Sequence, residues 1–105
     1  MQMRIIRGKV KPGKWADYES AYKAVTSSKH AFPGLKARWL VRDKAEPDWG
    51  YSISVWESAE ALRSYEQSDL LNKVVTPALQ QFFAGEYTSS HCEVVHTENF
   101  PGKQP

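Results

Sequence analysis

The sequence predicts one α+β domain, with four β-strands and two helical regions in the order βαββαβ, working as a homodimer. Three observations lead there. Its 105 residues suit a single domain, and no stretch is long enough to link two. Apolar residues alternate with period two in some segments and recur every three or four residues in others, and the two patterns succeed one another in that order. The strands also carry apolar bulk on both parities, more than one layer of helices covers.

Met3–Val10 mixes β-branched and charged residues and stops at the turn sequence Lys11-Pro12-Gly13, which marks the first strand. Trp15, Tyr18, Tyr22 and Val25 then recur at spacings of three and four, with Ala21 beside them, as one face of a helix from Lys14 to about Ser28. Each large side chain on that face contributes roughly 1.5–3 kcal/mol when buried, enough to hold a marginal helix on a sheet. After a loop at His30–Gly34, Leu35, Ala37, Trp39 and Val41 alternate with Lys36, Arg38, Leu40 and Arg42 as the second strand. Pro47, Asp48 and Gly50 mark a hairpin connection into the third, Tyr51–Trp56.

Ser58 is a natural cap for a short helix carrying Leu62 and Tyr65. Ser68 or Asp69 can cap a second with Leu71, Val74, Val75 and Leu79. Pro77 should kink or split that helix and Gly85 should end it. Tyr87–Thr97, rich in Thr, Val and Tyr, is the fourth strand. Residues 1–98 are therefore expected to form the domain, and 99–105 a flexible tail.

Leu40 opposes Trp39 and Val41 on the second strand, and Trp56 opposes Ile53 and Val55 on the third. Helices cover one face of such a sheet. The simplest cover for the other is the same face of a second copy. The rival reading is of scattered apolar groups shielding long basic side chains, as on many surfaces.

The 14 basic and 12 acidic residues are interspersed and the net charge is +2, which is no nucleic-acid signature. A single cysteine, Cys92, excludes an internal disulfide and fits a cytoplasmic location; it reads as a small buried side chain. Arg4 and Arg7 fall where a signal peptide needs its apolar stretch, so export is not expected. No apolar run exceeds three residues, against the ~20 needed for a membrane-spanning helix. RNA-recognition motifs share the element order. Here, however, Trp49 stands where a basic residue is expected, Ile53 replaces an aromatic, and Ile5 and Ile6 take the place of a stacking ring.

The segment from Ser52 through Trp56-Glu57-Ser58 to Leu62, followed by Ser68-Asp69, resembles the Trp-Glu-Ser region of antibiotic biosynthesis monooxygenase (ABM) domains; the opening Arg7-Gly8-Lys9-Val10-Lys11-Pro12-Gly13-Lys14 fits as well. The likeness runs over about residues 3–97 in element order. It implies a ferredoxin-like chain whose sheet pairs with a partner's into a dimeric α/β barrel. Some members oxidise polycyclic phenols with dioxygen and neither metal nor flavin, and others degrade haem. The haem-degrading members use an Asn on the first strand and a Trp and His ten residues apart. The matching positions here are Ile6, Tyr65 and Val75, so the resemblance does not extend to that chemistry.

No GxGxxG, P-loop, HExxH or CxxC motif is present, and no cofactor is expected. Within His91-Cys92-Glu93-Val94-Val95-His96, strand alternation lets His91 share a face with Glu93 only, too few ligands for a metal centre. The resemblance then implies a cofactor-independent monooxygenase acting on a small quinol-like or anthrone-like aromatic. A non-catalytic dimer that binds a small hydrophobic molecule or another protein is the alternative. In the enzyme reading His91 is the catalytic base, oriented by Glu93. Trp56 acts catalytically and, with Tyr65 and Tyr22, donates hydrogen bonds to the substrate. Arg38 holds an anionic oxygen. Each has a structural reading beside it: a bonded strand histidine for His91, core packing for Trp56, Tyr22 and Tyr18, a solvated edge for Arg38, an ordinary surface charge for Glu93.

Overall fold

β1 (Gln2–Lys9), β2 (Leu35–Arg42), β3 (Trp49–Trp56) and β4 (Thr88–Glu93) form one antiparallel sheet, ordered β2-β3-β1-β4, in the computed structural model, which describes residues 1–27 and 30–102. α1 (Trp15–Val25) joins β1 to β2. α2 (Ala59–Glu66), a π-helical turn (Leu70–Val75) and α3 (Thr76–Gln80) join β3 to β4. This is the expected βαββαβ arrangement. The helical bonding of α1 stops at Val25, and Ser28, the end read from the sequence, lies outside the described residues, as do the last three residues of the expected tail. Residues 94–102 carry neither helix nor strand.

Local chemistry explains the boundaries. Ser58 Oγ accepts the Ala61 N–H at 3.0 Å to start α2, and Ser68 Oγ accepts the Leu71 N–H at 3.1 Å to start the π turn. Pro77 falls in the first turn of α3, where its missing N–H interrupts no bond, so the region divides there. In the hairpin, Asp43 Oδ1 accepts the N–H groups of Ala45 (2.8 Å) and Glu46 (2.9 Å), bending the chain from β2 towards β3.

The register sorts side chains into rows across the sheet. Leu40-Ser52-Ile6-Ser89 and Arg38-Ser54-Arg4-His91 share a face with Trp56, which is completely buried in a core with Tyr65, Leu62, Leu71, Val75 and Leu79, so this is the helix side. Trp39-Ile53-Ile5-Ser90 and Ala37-Val55-Met3-Cys92 occupy the other side, which no helix covers. Both faces carry apolar side chains as expected, although the helix side also holds Arg4, Arg38, Ser52 and Ser54. The parity is now assigned: Leu40 and Trp56 face the helices, whereas Trp39 and Val41 are exposed. Gly8 and Gly50 are cross-strand partners on the helix side. A Cβ on Gly8 would lie 2.6 Å from the Phe83 ring, and one on Gly50 would strike Trp15, so two bare positions let those rings rest on the sheet.

Three expectations are corrected. Cys92 is exposed, because β4 is an edge strand and every residue of it is exposed. β4 is shorter than Tyr87–Thr97. The helix ends at Gln80 rather than near Gly85, because Lys11 N–H donates to Phe82 O (2.8 Å) and a bridge between Val10 and Phe83 draws the chain onto the sheet; Gly85, at φ 98°, makes the turn into β4 instead. Among the described residues no helix is long and apolar enough to cross a membrane.

Candidate active site

The middle of the sheet's helix side forms the floor of a pocket. Arg4 and Ile6 come from β1, Arg38 from β2, and Ser52 and Ser54 from β3. Tyr18 and Tyr22 of α1 and Tyr65 of α2 stand over that floor, while Leu71, Val75, Leu79 and Phe83 close it with apolar surface. The enclosed space is about 60 Å³ and opens to solvent at its mouth, so a ring-sized ligand must extend into that mouth. Helical spacing explains the roof: Tyr18 and Tyr22 are four residues apart and so present both phenols to the same side.

The polar groups divide into those with partners and those without. Tyr22 Oη and Ser52 Oγ are 2.6 Å apart. Arg4 Nε donates to Glu66 Oε2 at 3.0 Å, and His91 Nε2 donates to the same oxygen at 2.8 Å. Arg38 has no carboxylate partner among the described residues; its guanidinium lies 4.3 Å over the Phe32 ring. The Tyr18 and Tyr65 hydroxyls have no hydrogen-bond partner among the described residues, although the two side chains are only 5% and 9% exposed. Neither oxygen is sealed from solvent, so both hydroxyls are open to the pocket and free to donate to a ligand there.

Burial raises the pKa of all three phenols above the ordinary tyrosine value. For Tyr22 and Tyr65 the positive fields of Arg38 and Arg4 oppose that rise without cancelling it, and the Ser52 hydrogen bond also opposes it at Tyr22. At neutral pH the phenols therefore remain O–H donors in a pocket whose fixed charges are cationic. No carboxylate, imidazole or amine lines it among the described residues. Such a pocket binds a flat apolar body and stabilises an oxyanion on it.

Of the residues singled out from sequence, the structure brings Tyr22, Arg38 and Tyr65 together in the lining. Trp56 lies beneath them, its ring stacked on Tyr65 at 4.7 Å and its indole N–H donating to Ser54 Oγ at 2.9 Å. His91 and Glu93 share a face of β4 but stand outside the pocket, and the partner of His91 is Glu66. Arg4, Ser52, Ser54 and Glu66 were not anticipated. A charged or hydroxylated residue in a strand reads as solvent-facing, and only the register reveals that Arg4, Ser52 and Ser54 meet at the centre of the sheet, where Glu66 reaches Arg4 from the end of α2. Among the described residues no cluster of His, Cys, Asp or Glu suits a metal ion. Ile6, Tyr65 and Val75, the positions that match the haem-degrading residues, all line this one pocket.

The family model for antibiotic biosynthesis monooxygenase matches residues 1–82. Solved proteins of Caulobacter crescentus (23% identity, TM-score 0.79, 90% of each chain) and Bordetella bronchiseptica (20%, 0.78, 90% of this chain and 97% of that one) carry the same family name. SnoaB of Streptomyces nogalater, a cofactor-independent oxygenase solved as a mutant, superposes with TM-score 0.73 at 20% identity over 91% of this chain and 94% of its own. No curated protein matches the sequence.

Proposed function

This chain belongs to the antibiotic biosynthesis monooxygenase family, and from that premise we propose that it is a cofactor-independent monooxygenase of small quinol-like or anthrone-like aromatics. Family and fold support a monooxygenase-type role. The observation that carries the finer reading is the pocket itself: apolar walls, two arginines and protonated phenols, with two hydroxyls free to donate.

The chemistry asks little of the protein. A phenol or anthrone that loses a proton becomes electron-rich enough to react with dioxygen directly. At an anthrone methylene, one oxygen atom becomes the new carbonyl and the other leaves as water with the two methylene hydrogens. The lining offers no base, so the proton leaves through the open mouth and the pocket acts on the acidity of the substrate. About 1.4 kcal/mol of anion stabilisation lowers that pKa by one unit. Tyr65 Oη and Tyr22 Oη donate to the developing oxyanion, and Arg4 and Arg38 supply the field. Trp56 sets the plane of Tyr65 and holds Ser54. His91 acts through Glu66, fixing the carboxylate that anchors Arg4, and Glu93 stands apart from the reaction.

Oxygen uptake by metal-stripped protein across a panel of anthrones and naphthols tests the reading, with turnover of at least one class expected. Ligand-induced stabilisation without product from any of them would instead support a binding protein. His91→Ala should slow turnover by less than roughly tenfold; a loss of 10²–10⁴-fold would restore His91 as the direct base.

The homodimer belongs to the same proposal. Met3, Ile5, Trp39, Val41, Ile53 and Val55 make the helix-free side apolar, and Trp39 is 49% exposed in the single chain. A second copy laid on that side closes the barrel typical of the family.

A further inference from the structure

From the unequal treatment of its two arginines we infer that the pocket takes an aromatic acid, a flat ring carrying a permanent carboxylate held by Arg38 in addition to the oxygen that reacts. This rests on the reading of the pocket as the substrate site and names its substrate class.

Arg4 and Arg38 flank Ser54 in one cross-strand row, two strand spacings or roughly 10 Å apart. They are tied in opposite directions, Arg4 to Glu66 at the end of α2 and Arg38 to the face of Phe32 in the loop before β2. A single phenolate oxygen cannot satisfy both. Arg4 already has its counter-charge. Arg38, alone of the two cations lining the pocket, does not.

Held over the Phe32 ring and free of any carboxylate, the guanidinium of Arg38 has N–H groups to offer an acceptor, and arginine grips a carboxylate bidentately. Arg38 also stands where the pocket meets a wider, open groove, whose walls include Leu40, Arg42 and the ion pair of Lys23 with Glu19. An acid group entering from that side keeps its outer oxygen near solvent, so the desolvation cost is moderate. The ring then reaches inward over Ile6 and Val75, and its far oxygen meets the free Tyr65 hydroxyl. The ligand therefore has an acid at one end and a phenol at the other.

6-Hydroxy-2-naphthoate and its amide have this shape and differ only in the charge. Calorimetric titration at neutral pH and low salt should show the acid binding at least about tenfold tighter than the amide. Arg38→Met should abolish the preference with an unchanged melting temperature, and Arg38→Lys should keep part of it. Equal affinities, no binding of either compound, or a preference that survives Arg38→Met would overturn the proposal. Should Arg38→Met not fold, the wild-type protein decides: the preference must shrink towards about 0.5 M salt, and a salt-independent preference would refute an ionic origin. The oxygenase reading fails separately. Acid preference without oxygen uptake from any aromatic leaves this assignment standing, and turnover of neutral quinols with no acid preference does the reverse.

Discussion

Removing the Tyr65 hydroxyl should separate what the pocket does for folding from what it does for a ligand. Tyr65 packs by its ring, stacked 4.7 Å from Trp56 and 5.8 Å from Phe32, and phenylalanine keeps both contacts. Its hydroxyl has no partner among the described residues and stays open to the pocket, so folding desolvates it in part and gains no hydrogen bond from it. An unsatisfied buried hydroxyl costs about 1–3 kcal/mol, and this one keeps some contact with the open pocket, so Tyr65→Phe should leave stability unchanged or raise it by up to about 1 kcal/mol. The neighbouring change differs in sign. Tyr22→Phe breaks the 2.6 Å bond to Ser52 and should cost about 0.5–1.5 kcal/mol. Binding should respond the other way, because a hydrogen bond to the ligand's neutral phenol oxygen contributes about 0.5–1.5 kcal/mol, or roughly 2–12-fold in Kd. Urea denaturation and titration with 6-hydroxy-2-naphthoate measure the two sides. If Tyr65→Phe were destabilised by more than about 1 kcal/mol and bound the ligand as the parent does, the hydroxyl would be structural and the reasoning wrong.

Burial holds the Tyr18, Tyr22 and Tyr65 phenols above the ordinary tyrosine range, with repulsion from Tyr22 adding to the effect at Tyr18. A folded-state value above the unfolded one means that this contribution to stability is complete below about pH 10 and is lost as pH rises through the folded-state values. The urea midpoint should therefore drop above about pH 10, and Tyr18→Phe should lessen the drop; identical profiles for the two proteins would contradict the burial. Gly50→Ala places a methyl against Trp15 and 2.7 Å from the Val41 carbonyl oxygen, and should cost about 1–3 kcal/mol in the same assay, with an unchanged midpoint counting against the packing described. Trp39→Asp puts a charge in the middle of the helix-free apolar face. It should shift sedimentation from dimer to monomer, and an unaltered dimer would move the interface elsewhere.

The fold was readable because its signals are local. Strand alternation in Leu35–Arg42, the aromatic stripe of Trp15–Val25 and the Ser58 cap each specify an element without reference to the rest of the chain. Part of the site followed from the same signals: the helical stripe aims Tyr22 inward, and parity puts Arg38 on the face opposite Trp39 and Val41. What stayed hidden depends on strand order. His91 and Glu93 have the right parity for the helix side, yet the pocket floor spans β2, β3 and β1 and stops short of β4, and parity says nothing about position across a sheet. Arg4 and Ser54 gain their meaning only from sharing a row with Arg38. Glu66 matters because the end of α2 passes over β1 and β4, a tertiary fact with no trace in the local sequence.

The central claim is that this pocket favours the anion of a bound phenol, and the ionisation of bound 2-naphthol tests it most directly. For Tyr22 and Tyr65 themselves, burial outweighs the two arginines. A ligand oxygen seated against the Tyr65 O–H receives a direct donor that Tyr65 lacks, so the balance should reverse. An absorbance titration of 2-naphthol at saturating protein should place its midpoint at least about one unit below that of free naphthol, equivalent to about 1.4 kcal/mol favouring the anion. A midpoint unchanged or raised would mean that burial dominates for the ligand too, and that the pocket does not activate phenols.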